Sequence, residues 1–163
     1  MISEQAKQRM RELASRYPMA RSAVMPSLHI AQQEEGYITP EGLRAVAEAI
    51  NLTVDDVESV ATFYTMYYQR PQGKKIINVC TSISCYLRNC DPLVSHLEDR
   101  LGIKRGETTA DGNYTLNTVE CIASCSSAPA LQVNGEFYEN LTQESVDALI
   151  DQLDRELGVE RRV

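Results

Sequence analysis

The chain has 163 residues, enough for one ordinary domain or two small ones. Its 16 basic and 23 acidic side chains leave a formal charge of −7, and a nucleic-acid binder would instead need a basic face for phosphates. Charge and apolar content are both in the globular range, which argues against wholesale disorder.

The first 66 or so residues read as helix after helix. Ser3 opens a segment that puts Met10, Leu13, Ala14 and Tyr17 on one face before Pro18 stops it. Ser22 is the expected cap of a second helix, with Val24, Met25, Leu28 and Ala31 apolar, Pro26 in the first turn and Gly36 at the end. Thr39-Pro40-Glu41 is a helix start, a capping hydroxyl followed by proline at the first helical position. Leu43, Val46, Ala47 and Ile50 follow at helical spacing. Thr53 with Asp56 opens a fourth helix carrying Val57, Val60, Ala61 and Tyr64. Helices with one apolar stripe each must bury those stripes together, so a small bundle is expected over residues 1–70. Phe63, Tyr64, Tyr67 and Tyr68 read as core and inter-domain packing, or else as an interface with a partner.

Arg70-Pro71-Gln72-Gly73 breaks the pattern. Residues 75–79 read as a buried strand, and Asp91-Pro92 starts a helix bearing Leu93, Leu97 and Leu101, closed by Gly102. Residues 114–119 form a second strand. Asn134-Gly135 between Val133 and Phe137 is a strong hairpin signal. Thr142 caps a last helix with Val146, Leu149, Ile150, Leu153 and Leu157, closed by Gly158. Strand–helix–strand followed by strand–strand–helix predicts a thioredoxin-like domain over 74–163, in an α/β chain overall. Residues 1–73 carry a net −2 and residues 74–163 a net −5.

The start of the chain shows no apolar stretch of the secretory kind, and no run reaches the roughly 18 apolar residues of a membrane span. A soluble protein in a reducing compartment is therefore expected. There, clustered cysteines favour metal or redox roles over disulfides.

Five cysteines are present. Cys80 ends the first predicted strand and Cys85 follows it; Cys121 ends the second and Cys125 follows it. Parallel strands joined by one crossover are usually neighbours, so the two loops are expected to meet and offer four thiols at one place. Two pairs suit a [2Fe–2S] cluster, in which each iron takes two thiolates. An oxidised cluster with four thiolates carries −2, and reduction makes it −3. Arg88 is the only charged residue from Cys80 to Cys90, and none occurs from Cys121 to Gly135. A structural zinc site, two disulfides, a dithiol redox pair and unliganded buried thiols are the competing readings, although zinc knuckles and dithiol enzymes favour C-x-x-C spacing. Cys90 repeats the five-residue step, so spacing leaves Cys85 with Cys90 open as a pair; its place before Asp91-Pro92 favours packing at the helix entrance. His29 and His96 lie away from the cysteine loops, which argues against a Rieske-type site. No glycine-rich phosphate loop and no Ser/His/Asp set is visible.

Several segments carry a resemblance. They are Tyr17-Pro18, Leu28 to Ile38 (LHIAQQEEGYI), Val60 to Met66 (VATFYTM), and Thr108 to Leu116 leading into Val119-Glu120-Cys121. Together with the four cysteines they make the chain resemble the thioredoxin-like [2Fe–2S] ferredoxin family, which includes the 24 kDa (E-type) subunit of NADH:quinone oxidoreductase (complex I). The likeness runs from about Tyr17 to Leu157. It implies Cys80, Cys85, Cys121 and Cys125 as ligands of one [2Fe–2S] cluster, with Cys90 outside the family pattern. It implies electron transfer as a subunit of an oxidoreductase, with no complete active site on this chain. The implied partners are the FMN- and NADH-binding (F-type) subunit of complex I and an adjoining iron–sulfur subunit. The implied place is the cytoplasmic face of a bacterial membrane, held there through the complex. Similar subunits occur in NAD-linked hydrogenases and formate dehydrogenases, and a zinc-stabilised interaction module is the reading from a different class. The family usually reads Cys-Leu-Gly-Ala-Cys-Gly at the second loop, whereas this chain has Ile122, Ala123, Ser124 and Ser126. Ser124 and Ser126 are candidate hydrogen-bond donors to sulfur.

Overall fold

A computed structural model describes residues 1–159. The chain divides into two compact units, Met1–Pro71 and Gln72–Val163.

The first unit is helical: α1 (Glu4–Ala14), α2 (Val24–Glu35), α3 (Pro40–Ile50) and α4 (Val54–Phe63). Three starts are set by side-chain caps, which satisfy amides that have no partner within the helix. Ser3 accepts from the amide of Ala6, Thr39 from Gly42 and Thr53 from Asp56. The second start differs from expectation. Ala20–Ala23 form a tight 3-10 turn that holds Ser22, and α2 begins after it without a side-chain cap. Gly36 ends α2 at φ +81°, the left-handed conformation that favours glycine. The apolar stripes meet in a core that includes Met10, Val24, Leu28, Val46 and Val57. Tyr67 belongs to that core and donates its hydroxyl to the Met25 carbonyl at 2.8 Å. Phe63 does not; it is 77% exposed and stacks edge-on with Tyr64, their ring centroids 5.0 Å apart.

The second unit is built on a five-stranded mixed sheet of order β2-β3-β1-β4-β5. Its strands are β1 (Lys75–Cys80), β2 (Glu107–Thr108), β3 (Tyr114–Val119), β4 (Leu131–Val133) and β5 (Glu136–Tyr138). β1 and β3 pair in parallel and sit side by side; the other three pairings are antiparallel. Helices α5 (Ile83–Leu87) and α6 (Cys90–Leu101) connect them, and α7 (Gln143–Leu157) closes the unit. The thioredoxin-like order is present, with β2 and α5 as additions too short for a periodicity to reveal. Ile77, Leu116 and Leu131 of the sheet share one core with Leu97 of α6 and Ile150 and Leu153 of α7. Buried Tyr114 directs its hydroxyl to Asp154 at 2.8 Å, giving this polar tip a partner inside the core. Thr142 and Ser145 form a reciprocal capping box on α7.

Among the described residues, no helix is long and apolar enough to cross a membrane.

Candidate metal centre

Both cysteine loops leave the sheet at the same level. Cys80 is the last residue of β1 and pairs across with Val119, the last residue of β3. Cys121 follows two residues later. The parallel register thus delivers both loops to the carboxyl edge of adjacent strands, where α/β folds place their sites.

In the first loop, Cys80 and Cys85 are buried and pack with Cys90, Ala128 and Ile122. The short helix α5 carries Cys85 inward while Ile83, Tyr86 and Leu87 stay exposed. Burial, and after it the hydrogen bond with Cys80, pushes the Cys85 thiol up to about 11, against a lowering contact from the Ala130 amide. Cys90 is the first residue of α6, not the residue before it, and is fully buried. Burial and the neighbouring Asp91 raise its thiol as well. Its place is at the helix entrance, against Cys80 and Cys85.

The second loop is more open. Cys121 and Cys125 are exposed, with their sulfurs 3.4 Å apart. The Ala123 amide donates to the Cys121 sulfur at 3.3 Å. Ala123 sits at φ +65°, in the left-handed region, where its Cβ is strained. Pairing with Cys121 raises the Cys125 thiol, and a hydrogen bond from Ser84 draws it back.

All five cysteines are free thiols. Among the described residues, no three His, Cys, Asp or Glu side chains are grouped so as to hold a metal ion. Cys80 and Cys85 lie buried together with Cys90, whereas Cys121 and Cys125 stand as an exposed pair with an amide donated to the Cys121 sulfur. Thiols at the carboxyl ends of two adjacent parallel strands are the donor chemistry that a binuclear iron–sulfur cluster takes, two thiolates to each iron.

The profile of the "Thioredoxin-like [2Fe-2S] ferredoxin" family matches residues 10–154. This chain belongs to that family. Within it, the chain is 45% identical over 143 residues to the E-type subunit of the NADH-quinone oxidoreductase of Mycobacterium tuberculosis (strain ATCC 25618 / H37Rv). That match covers 88% of this chain and 57% of the relative. The chain thus spans little more than half of the mycobacterial relative. It is 42% identical to a second such E-type subunit, from Rhizobium meliloti (strain 1021), covering 91% of this chain and 90% of that one. The fold is shared with a chain of an NAD+-reducing [NiFe]-hydrogenase in the H2-reduced state, with TM-score 0.73 and 23% identity over 85% of this chain and 23% of that chain.

Other expected site features fall differently. His29 is exposed on α2, and His96 on α6 meets Asp147 of α7 at 2.8 Å, so both are ordinary helix residues. Ser124 does not turn to sulfur: its hydroxyl donates to Glu139. Glu139 lies outside both cysteine loops in sequence, so no local pattern linked it to them.

Proposed function

We propose that this chain is an electron-transfer subunit that holds one [2Fe–2S] cluster on Cys80, Cys85, Cys121 and Cys125. The observation that carries the reading is the pair of two-thiol loops leaving adjacent parallel strands at one level, in a chain of the [2Fe–2S] ferredoxin family. When bound, such a cluster takes up and returns one electron at a time.

The protein's own contribution is to place and shield the thiolates. Cys80 and Cys85 are buried, packed with Cys90 and Ala128 and against the partly buried Ile122. The amides of Ala123 and Ala130 offer donors to sulfur, which favours the thiolate form. The buried pair excludes water, while the exposed pair leaves one side of the site open to a partner.

The partner we propose is the FMN- and NADH-binding subunit of an NADH:quinone oxidoreductase, with an adjoining iron–sulfur subunit beyond it. Flavin accepts a hydride, two electrons together, and an iron–sulfur subunit moves them singly. On this reading the chain is peripheral to the cytoplasmic face of a bacterial membrane, through its complex. The names of the relatives support it. So do Ile83, Tyr86 and Leu87, apolar side chains left exposed beside Cys85, of the kind that subunit interfaces cover. The units Met1–Pro71 and Gln72–Val163 then serve as a helical domain and the cluster-bearing domain.

The test is anaerobic reconstitution with iron and sulfide. Two irons and two sulfides per chain, visible absorption and an EPR signal on reduction are expected. One zinc without sulfide, or no iron at all, would overturn the reading.

A further inference from the structure

Along the sequence the second cysteine loop is uncharged, but the fold brings a carboxylate to it. Glu139 follows β5, and its Oε1 accepts the hydroxyl hydrogen of Ser124. Ser124 adjoins Cys125 and is only 8% exposed. Two backbone bonds continue the contact. The Asn140 amide donates to the Ser127 carbonyl at 2.7 Å, and the Leu141 amide to the Pro129 carbonyl at 3.1 Å. Residues 139–141 therefore lie along the loop as a strap, with Glu139 at the end next to the cysteines. Asn140 makes the turn at φ +50°, a conformation asparagine tolerates.

We propose that Glu139 holds down the reduction potential of the centre, acting from outside the cysteine loops. The inference rests on the cluster reading above and adds a residue that the thiol pattern does not contain. Two effects act in the same direction. Reduction adds one negative charge to the site, and a carboxylate beside the loop opposes that addition. The hydroxyl of Ser124 has a single hydrogen, and Glu139 takes it. A hydroxyl committed in this way does not donate to a thiolate, and donation to sulfur is what would raise the potential. Glu139 is a positioning residue: it touches Ser124, not the thiols. A purely structural strap would fix the loop equally well with a neutral acceptor, so the charge is what separates the two roles.

The experiment is an EPR-monitored redox titration of the full, reconstituted chain. Dithionite is the electron donor: each centre gains one electron, its charge falls by one and no proton is required. Glu139→Gln keeps an acceptor oxygen for Ser124 and removes the charge. It is expected to shift the reduction equilibrium about two- to fivefold toward the reduced form, the modest size suited to a solvent-exposed charge. The shift is expected to shrink in 1 M salt, where the screening length is about 3 Å. Ser124→Ala leaves the carboxylate in place and is expected to keep the parent potential. Glu136→Gln, on the same hairpin, is the control for net charge and is expected to move the potential less than Glu139→Gln.

If Glu139→Gln fails to retain iron, Glu139→Ala carries the test with the same expected direction. A loaded variant with the parent potential overturns this inference alone, as does an equal shift in Glu136→Gln. A parent chain that binds no iron overturns the cluster reading and this inference with it.

Discussion

Cys80 stands directly across from Val119 in the parallel pairing of β1 and β3. One residue of slip in that register would carry Cys121 a strand step of about 3.3 Å along the sheet edge and turn its side chain to the other face. The placement of four thiols therefore depends on the apolar residues that lock the register, chiefly Ile77 and Leu116, which pair with each other and are fully buried.

Serine at Cys80, Cys85, Cys121 or Cys125 is expected to remove most of the iron from the reconstituted chain. Cys90→Ala is expected to leave the spectrum near that of the parent, because Cys90 packs the entrance of α6. Iron and sulfide analysis of the five variants decides the ligand set. Loss of the cluster in Cys90→Ala with retention in Cys80→Ser would reverse the assignment.

Ala123 works in a conformation that costs an L-residue about 1–2 kcal/mol. Glycine removes that strain but gains freedom in the unfolded chain, so Ala123→Gly is expected to stabilise by less than about 1 kcal/mol. Ala123→Val, branched at Cβ, is expected to destabilise by about 1–2 kcal/mol. Denaturant unfolding of the metal-free proteins measures both, and equal stabilities would contradict the strain.

Gly73 has no room for a side chain. A Cβ there would come within 2.5 Å of the Tyr114 carbonyl carbon and 2.8 Å of the Thr115 amide nitrogen, both backbone. The Gly73 amide also donates to the Thr115 hydroxyl at 2.6 Å. Gly73→Ala is expected to cost about 1–3 kcal/mol, read as a lower unfolding midpoint at unchanged slope.

Glu98 gives the fold an acid limit. The Arg105 amide, then the Lys104 ammonium, hold its carboxyl down to about 2 from the usual 4.5. The folded value lies below the unfolded one, so the stabilisation is complete above about 4.5 and is lost as pH falls toward 2. Glu98→Gln is expected to flatten the stability profile across that window. A variant that keeps the parent's slope between pH 4.5 and 2 would contradict it.

Features that depend on a few adjacent residues are legible in the chain itself. Thr39, Thr53 and Thr142 cap helices because a hydroxyl reaches an amide three positions on. Asn134 and Gly135 turn the hairpin because both take positive φ, at +50° and +91°. Ser22 misleads because a 3-10 turn intervenes before α2, and the balance between two helix types at a terminus is decided by packing. The aromatic group divides: the core of the first unit closes around Tyr67, while Phe63 stays exposed, which removes the core reading for Phe63 and leaves the interface reading open, since aromatic character predicts burial only on average.

The order of the cysteines, their pairing into two loops and the lack of charge along those loops belong to the sequence alone, because they are properties of neighbours in the chain. So does the alternation of helical and strand periods that marks the thioredoxin-like order. Tertiary structure decided which thiols are buried and which are open, since burial depends on Cys80, Cys85 and Cys90 packing with Ala128 and Ile122 from the second loop region. It also decided that Glu139 reaches Ser124, 15 residues away along the chain. Such a contact is made by the β4–β5 hairpin folding back on the loop, and spacing along the chain carries no record of it.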